Sequence, residues 1–274
     1  MEIIFILIVV GFFIGTLGTL IGAGGGFLLV PVLLITEKNL SPESITAISM
    51  AVVAANAISG SVAYMRSRRV DYKAGIYFAA FTIPGSILGV LCTRYIPRHL
   101  FDVIFAGVLI IAGIVLFIKG GNETPGKTVV TARKGWVQQR ITDKWEEEYV
   151  YAYDRRKGAF LSLLVGFVSP MLGIGGGIIH VPALAEWLLF PVHIATATSH
   201  FILAIMATVS VLVHIINGNY NDPVIFKMVA GLIIGVIPGA QLGAYLSRHF
   251  RGKLIIKVLA LCLVLVGLRI IFMH

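Results

Sequence analysis

The chain of 274 residues is 58% hydrophobic, carries charge on only 13% of its positions, and has a mean hydropathy of +0.94. A soluble fold of this length has no interior large enough for that much apolar surface, so composition predicts a polytopic membrane protein. The formal net charge of +9 does not require a nucleic-acid partner, because the basic residues flank apolar segments as the positive-inside rule expects.

Eight apolar segments are expected in chain order: 3–36, 44–65, 74–93, 101–118, 158–190, 194–216, 224–246 and 254–272. The start, Met1-Glu2 and then apolar residues, lacks a basic leader and reads as a retained membrane segment. The first and fifth segments are interrupted by glycines: Gly22-Ala-Gly-Gly-Gly-Phe-Leu-Leu-Val-Pro31 and Gly173-Ile-Gly-Gly-Gly-Ile-Ile-His-Val-Pro182. Glycine is about 1 kcal/mol worse than alanine inside a helix, so each motif predicts a break, with a half-helix starting after it. Pro31 and Pro182 are expected early in those half-helices, where a missing donor costs least.

Between the fourth and fifth segments, residues 119–157 form a polar linker expected in the cytoplasm. Tyr149, Tyr151 and Tyr153 alternate with period two, which predicts a short strand or hairpin lying at the membrane interface. Cys92 and Cys262 both lie in apolar runs, so neither a disulfide framework nor a zinc site is expected.

The two ends of the chain match in more than the glycines. Ala47-Ile-Ser49 answers Ala197-Thr-Ser199, and Pro84-Gly85 with Leu88-Gly89 answers Pro238-Gly239 with Leu242-Gly243. The reading is an all-α membrane protein of two four-segment repeats, 1–118 and 158–274, joined by the linker. Each interrupted segment is either one bent crossing, a broken helix, or a re-entrant hairpin; the hairpin leaves three crossings per repeat, an odd number that inverts one repeat against the other. Charge leans the same way: inversion puts 17 of the 22 Lys and Arg on the linker side, against 15 for parallel repeats.

A break at membrane depth is tolerated where its freed backbone groups line a cavity, and each half-helix N-terminus carries roughly half a positive charge. In the inverted arrangement both positive ends meet near the midplane and form an anion site without a fixed cation. The expected binding groups are Gly24, Gly25, Gly26, Ser49 and Asn56 from the first repeat, with Gly175, Gly176, Gly177, His180, Ser199, His200 and Gln241 from the second. Glycine serving only close helix packing is the competing explanation. His180 is assigned a functional role, whereas His200 and His214 fit equally well as neutral residues bonded to carbonyls. Enzyme motifs such as Gly-x-Ser-x-Gly, His-Glu-x-x-His and Walker-type Gly-Lys-Ser/Thr are absent, so neither catalysis, a metal nor a cofactor is expected.

The paired glycine motifs, the Ala-x-Ser that follows each and the Pro-Gly of the next segment resemble the TauE/SafE family of membrane transporters over essentially the whole chain. The resemblance implies a multi-pass protein of the inner (plasma) membrane that moves small anions such as sulfite or organosulfonates, with export the expected direction. The linker is longer than the resemblance implies, which leaves an added regulatory or assembly role open. The expected partners are a small anion, a coupling proton, bilayer lipid and a second copy of the chain. An anion channel, a carrier for other small organic anions and a histidine-based redox or haem protein are the alternatives.

Overall fold

Each apolar segment becomes a helix, and each glycine motif becomes a gap between two. The structure is a computed structural model that describes residues 2–119, 136–247 and 253–272. The linker's Gly120-Gly121 and Pro125-Gly126, and the loop with Arg248 and Arg251, lie outside the described residues. The first half holds α1 (Glu2–Ile21), α2 (Gly26–Thr36), α3 (Pro42–Arg66), α4 (Tyr72–Thr93) and α5 (Arg98–Lys119). A hairpin of β1 (Val137–Thr142) and β2 (Glu148–Tyr153) follows. The second half holds α6 (Arg155–Leu172), α7 (Gly177–Glu186), α8 (Val192–Ile216), α9 (Pro223–Leu246) and α10 (Lys253–Phe272). Six of these helices (α1, α3, α4, α5, α8 and α9) are long and apolar enough to cross a membrane. The protein is therefore an all-α, multi-pass membrane protein to which one hairpin is added.

Four of the helices that begin in loops are capped by side chains, whereas α8 starts after Pro191 without one. Ser41 accepts from Ser44 N–H before α3, Asp71 from Ala74 N–H before α4, Asp154 from Arg156 and Lys157 N–H before α6, and Asp222 from Val224 N–H before α9. Such a cap is worth about 1 kcal/mol. By contrast, α2 and α7 start from Gly25 and Gly176 with no side-chain cap. Pro31 and Pro182 are the sixth residues of their helices, a turn later than expected. There a proline costs a helical hydrogen bond, so the helix starts are set by the glycines before them.

Packing crosses between the halves. Along α9, Gly231, Gly235, Gly239 and Gly243 recur every fourth residue and meet α1 at Leu7, Ile8, Phe12 and Thr16 in rising order, so the two helices run parallel. Gly85 and Gly89 of α4 likewise lie on Leu163 and Phe167 of α6, also parallel. A side chain on Gly235 or Gly89 would begin 1.9 or 2.3 Å from the partner's backbone oxygen. These are the close small-residue contacts that drive helix association where both helices are surrounded by lipid. They explain why Pro-Gly and Leu-Gly recur in both halves.

Two further pairs, α3 with α8 and α5 with α10, run antiparallel. Gly60 and Tyr64 near the end of α3 meet His200 near the start of α8, while Tyr220, just beyond α8, donates to the Ala47 carbonyl near the start of α3 at 2.8 Å. Gly113 of α5 lies on Ala260 and Val264 of α10, and Gly267 of α10 lies on Ala106 and Ile110. The central core joins Phe27 and Val30 of α2, Ile45 and Ile48 of α3, Phe101 and Phe105 of α5, Ile178 of α7 and Leu232 of α9.

The alternating tyrosines do lie on a hairpin strand. β1 and β2 pair antiparallel, Val137 opposite Tyr153 and Arg140 opposite Val150, and all three tyrosines turn inward and are buried. Tyr151 donates to Asp71 Oδ2 at 2.7 Å and packs with Tyr153 on Phe190, ahead of α8. Burial, and after it the Asp71 carboxylate, push the Tyr151 phenol far above its usual value, so it remains a donor. Arg69, past the end of α3, donates through Nε and Nη2 to Asp143 Oδ2 at 3.0 and 2.9 Å. The hairpin is thus bolted to the α3–α4 loop.

Candidate functional site

The glycine motifs fold the chain back on itself. Gly22, Gly24 and Gly25 have φ of 79°, 79° and 84°, and Gly173, Gly175 and Gly176 have 70°, 80° and 62°. L side chains rarely adopt this left-handed region, which is why both motifs need glycine there. After α1 the chain turns so that Gly25 lies against Gly18 and Ile14; after α6, Gly176 lies against Ser169 and Val165. Both half-helices therefore begin beside the helix they have just left.

The two breaks also touch each other. A Cβ on Gly26 would lie 2.3 Å from the Gly173 carbonyl oxygen, and one on Gly177 would lie 2.1 Å from that of Gly22. Close packing, weighed above as the alternative to binding, is thus present at both breaks. It brings the N-termini of α2 and α7 together beside the middle of α3, where Val53 contacts Gly24, Gly26 and Gly175. No side chain caps either N-terminus, although Gly177 N–H donates to the Gly175 carbonyl at 2.6 Å and Leu28 and Ile179 N–H donate to the carbonyls of Gly25 and Gly176.

Polar side chains converge on this junction, and several are unsatisfied. Ser49 of α3 donates to the Gly173 carbonyl at 2.6 Å, closing the end of α6. Asn56, fully buried, accepts at Oδ1 from the Thr19 hydroxyl at 2.7 Å, and its Nδ2, beside Gly18 and Gly25, has no partner. Ser169 Oγ, at the level of Gly176, is equally buried and unpaired, and Ser199 Oγ, elsewhere on α8, is also buried without a partner. His200 lies against Gly60, Thr19 and the ring of Tyr64, near the Gly22 backbone, and neither of its nitrogens makes a hydrogen bond. A buried donor left without an acceptor costs about 1–3 kcal/mol.

Two of the expected residues are engaged elsewhere. His180, fourth in α7, places Nε2 3.3 Å from Ser162 Oγ inside the α6–α7 pair. Gln241 donates to the carbonyl and hydroxyl of Ser59 at 2.7 and 2.9 Å, tying α9 to α3 instead of reaching the glycines. His214 sits at the end of α8 with Nδ1 3.1 Å from Asn219 Oδ1, a loop-end role. Ser169 and Thr19 were not anticipated from sequence. The signal available was their place seven and six residues before the N-cap glycines, on the face that a turned-back chain must meet.

Comparison with known proteins gives this geometry its context. The family described as Sulfite exporter TauE/SafE matches residues 7–270. A probable membrane transporter protein of Bacillus subtilis, YunE, is 32% identical over 97% of this chain and 97% of its own length. A probable membrane transporter protein of Methanocaldococcus jannaschii is 28% identical over 71% of this chain and 66% of its own, and one of Xylella fastidiosa is 24% identical over 96% and 91%. No solved structure matches the chain.

Proposed function

The chain belongs to the TauE/SafE family of membrane transporters, and from that premise we propose a secondary carrier that exports a small sulfur oxyanion, sulfite or an organosulfonate, across the plasma membrane. The observation that carries this reading is the meeting of two uncapped half-helix N-termini with the unpaired Asn56 Nδ2 and Ser169 Oγ. Backbone and amide donors suit an oxyanion, whose several acceptor atoms accept many hydrogen bonds at once. No fixed cation is needed, so the anion binds without being trapped by a permanent counter-charge.

We further propose that the halves are inverted repeats. Support comes from α3 and α8, and from α5 and α10, which occupy matching places and run in opposite directions. The α1–α2 and α6–α7 pairs then enter as re-entrant hairpins from opposite leaflets, and rocking of one half against the other exposes the junction alternately. The coupling proton is assigned to His200 and not to His180, because His180 already contacts Ser162 while both nitrogens of His200 are unengaged. Transport, rather than chemical conversion of the anion, is the activity this arrangement serves.

The test is a thermal-shift screen of purified protein against sulfite, sulfate, thiosulfate, sulfoacetate and acetate. A saturable stabilisation by a sulfur oxyanion is expected, with affinity reduced about tenfold in Asn56→Ala, the effect of one lost hydrogen bond of about 1.4 kcal/mol. Absence of any shift, or an unchanged affinity in Asn56→Ala, overturns the reading.

A further inference from the structure

A cavity of about 660 Å³ opens between the outer ends of α6 and α7, lined by Arg156, Lys157, Phe160, Leu164, Trp187 and Leu188. It is remote from the glycine junction: Lys157 and Gly173 are separated by most of α6, about 24 Å at 1.5 Å per residue. Its walls are apolar, and Phe160, Leu164 and Trp187 are all exposed at its rim. An indole at this level is the usual mark of the boundary between acyl chains and headgroups.

The charges at the mouth are what single it out. Three cations open α6. Arg155 is committed, its guanidinium lying 3.7 Å over the Tyr77 ring. Asp154, the adjacent carboxylate, is committed as the helix cap, with Oδ1 accepting the backbone N–H of Arg156 and Lys157 at 2.9 and 3.3 Å. Glu186 ends α7 beside Trp187 but pairs with neither cation. Among the described residues Arg156 and Lys157 form no ion pair, although Arg69, Arg98 and Arg140 all do. Two cations that no described residue pairs with thus stand above an apolar slot at the edge of a membrane-spanning fold.

We infer that this groove is a binding site for one anionic phospholipid, its phosphate held by Arg156 and Lys157 and an acyl chain laid along Phe160 and Leu164 beneath Trp187. Both features are needed. A free oxyanion has no use for the apolar slot, and a zwitterionic lipid leaves the cations unneutralised. Because the slot is the open end of the α6–α7 pair, an occupant braces the two helices that carry the second glycine break. The inference is independent of what the junction transports.

The test uses the full chain reconstituted in vesicles of phosphatidylcholine. Part of the lipid is replaced by brominated phosphatidylglycerol or, separately, by the same fraction of brominated phosphatidylcholine, and tryptophan emission is read. Brominated phosphatidylglycerol is expected to quench at least threefold more, with the excess absent in Trp187→Phe, which identifies the reporting indole. The excess should also vanish in R156Q/K157Q and in Leu164→Phe, which fills the slot and leaves the charges in place. Equal quenching by the two lipids in wild type, as a second copy covering the groove would give, overturns the proposal. So does an excess that survives in Leu164→Phe, which would mean diffuse attraction to the charges and no seated lipid.

Discussion

At the first break Gly25 follows Gly18 by seven residues and Ile14 by eleven; at the second, Gly176 follows Ser169 and Val165 by the same intervals. Backbone dihedrals, turn-back and mutual contact are duplicated. The side chains are not. Where the first break has Gly18, backed by the amide of Asn56, the second has the hydroxyl of Ser169. Ser49 is committed to the Gly173 carbonyl, whereas its counterpart Ser199 is unpaired. The lesson is that the scaffold is held by glycine and backbone, which both halves share, while polar side chains are apportioned unequally around it.

The harshest way to break the comparison is to put bulk at the contact between the breaks. Gly26→Leu and Gly177→Leu should each abolish recovery of folded protein, since even a Cβ would meet a carbonyl oxygen of the opposite motif at 2.3 or 2.1 Å. Backbone has no flexible end that can move aside, and overpacking in a tight core already costs about 1–3 kcal/mol where side chains can yield. Size-exclusion profiles after extraction in mild detergent give the answer. Survival of one variant and loss of the other would show that the two contacts are unequal.

The second contrast is the hairpin, which is bolted to the α3–α4 loop at one end of the molecule. Asp143→Ala should undock it at a cost of about 3 kcal/mol, because Arg69 is left buried without its partner. Proteolysis in the 137–153 segment reads this out. Burial pushes the Asp143 carboxyl up, but hydrogen bonds from Arg69, Trp145 N–H and Glu147 N–H outweigh it and hold the group below its ordinary value. A depressed carboxylate stabilises fully above its unfolded pKa, about 3.9, and loses that contribution as pH falls through the lower folded value. Protection should therefore be flat from pH 7 to 5 and fall only below about pH 4. Loss of protection between pH 6 and 5 would mean that another group sets the docking.

The smallest and sharpest comparison is between the matched serines. Ser49→Ala should lower stability by about 1 kcal/mol, since it strips the Gly173 carbonyl of its donor. Ser199→Ala should raise stability by about 1 kcal/mol in the absence of anion, because it removes a buried hydroxyl that has no partner. Its effect should appear as weaker anion binding. Equal destabilisation by the two substitutions, read from thermal unfolding without anion, would erase the asymmetry.

Much of this architecture was legible from composition and spacing. Apolar runs fixed helix positions to within a few residues, and alternating Tyr149, Tyr151 and Tyr153 foretold a strand. Their burial was hidden, because it depends on Asp71, 80 residues earlier, reaching the Tyr151 hydroxyl. The pairing of Ser49 with Gly173 spans 124 residues and leaves no local trace. Gln241 looked like a ligand because polar side chains are rare in such helices, yet a helix-to-helix tie satisfies the same rarity. Pro31 and Pro182 misled because proline usually marks a first turn, and here the glycines had already begun the helix.

The exchange of first and fourth helices between halves bears on how the chain is made. Gly11 rests on Leu232, 221 residues later. At 5–20 residues per second, α1 waits roughly ten to forty seconds in the bilayer before its partner is synthesised. During that interval its glycine stripe and the first break have no opposing half. The α4–α6 pair forms far sooner, since Gly85 and Leu163 are 78 residues apart. Assembly accordingly begins at the centre of the chain and closes at its ends, and a ribosome stalled anywhere before α9 leaves the N-terminal helix exposed to whatever in the membrane recognises unpaired spans.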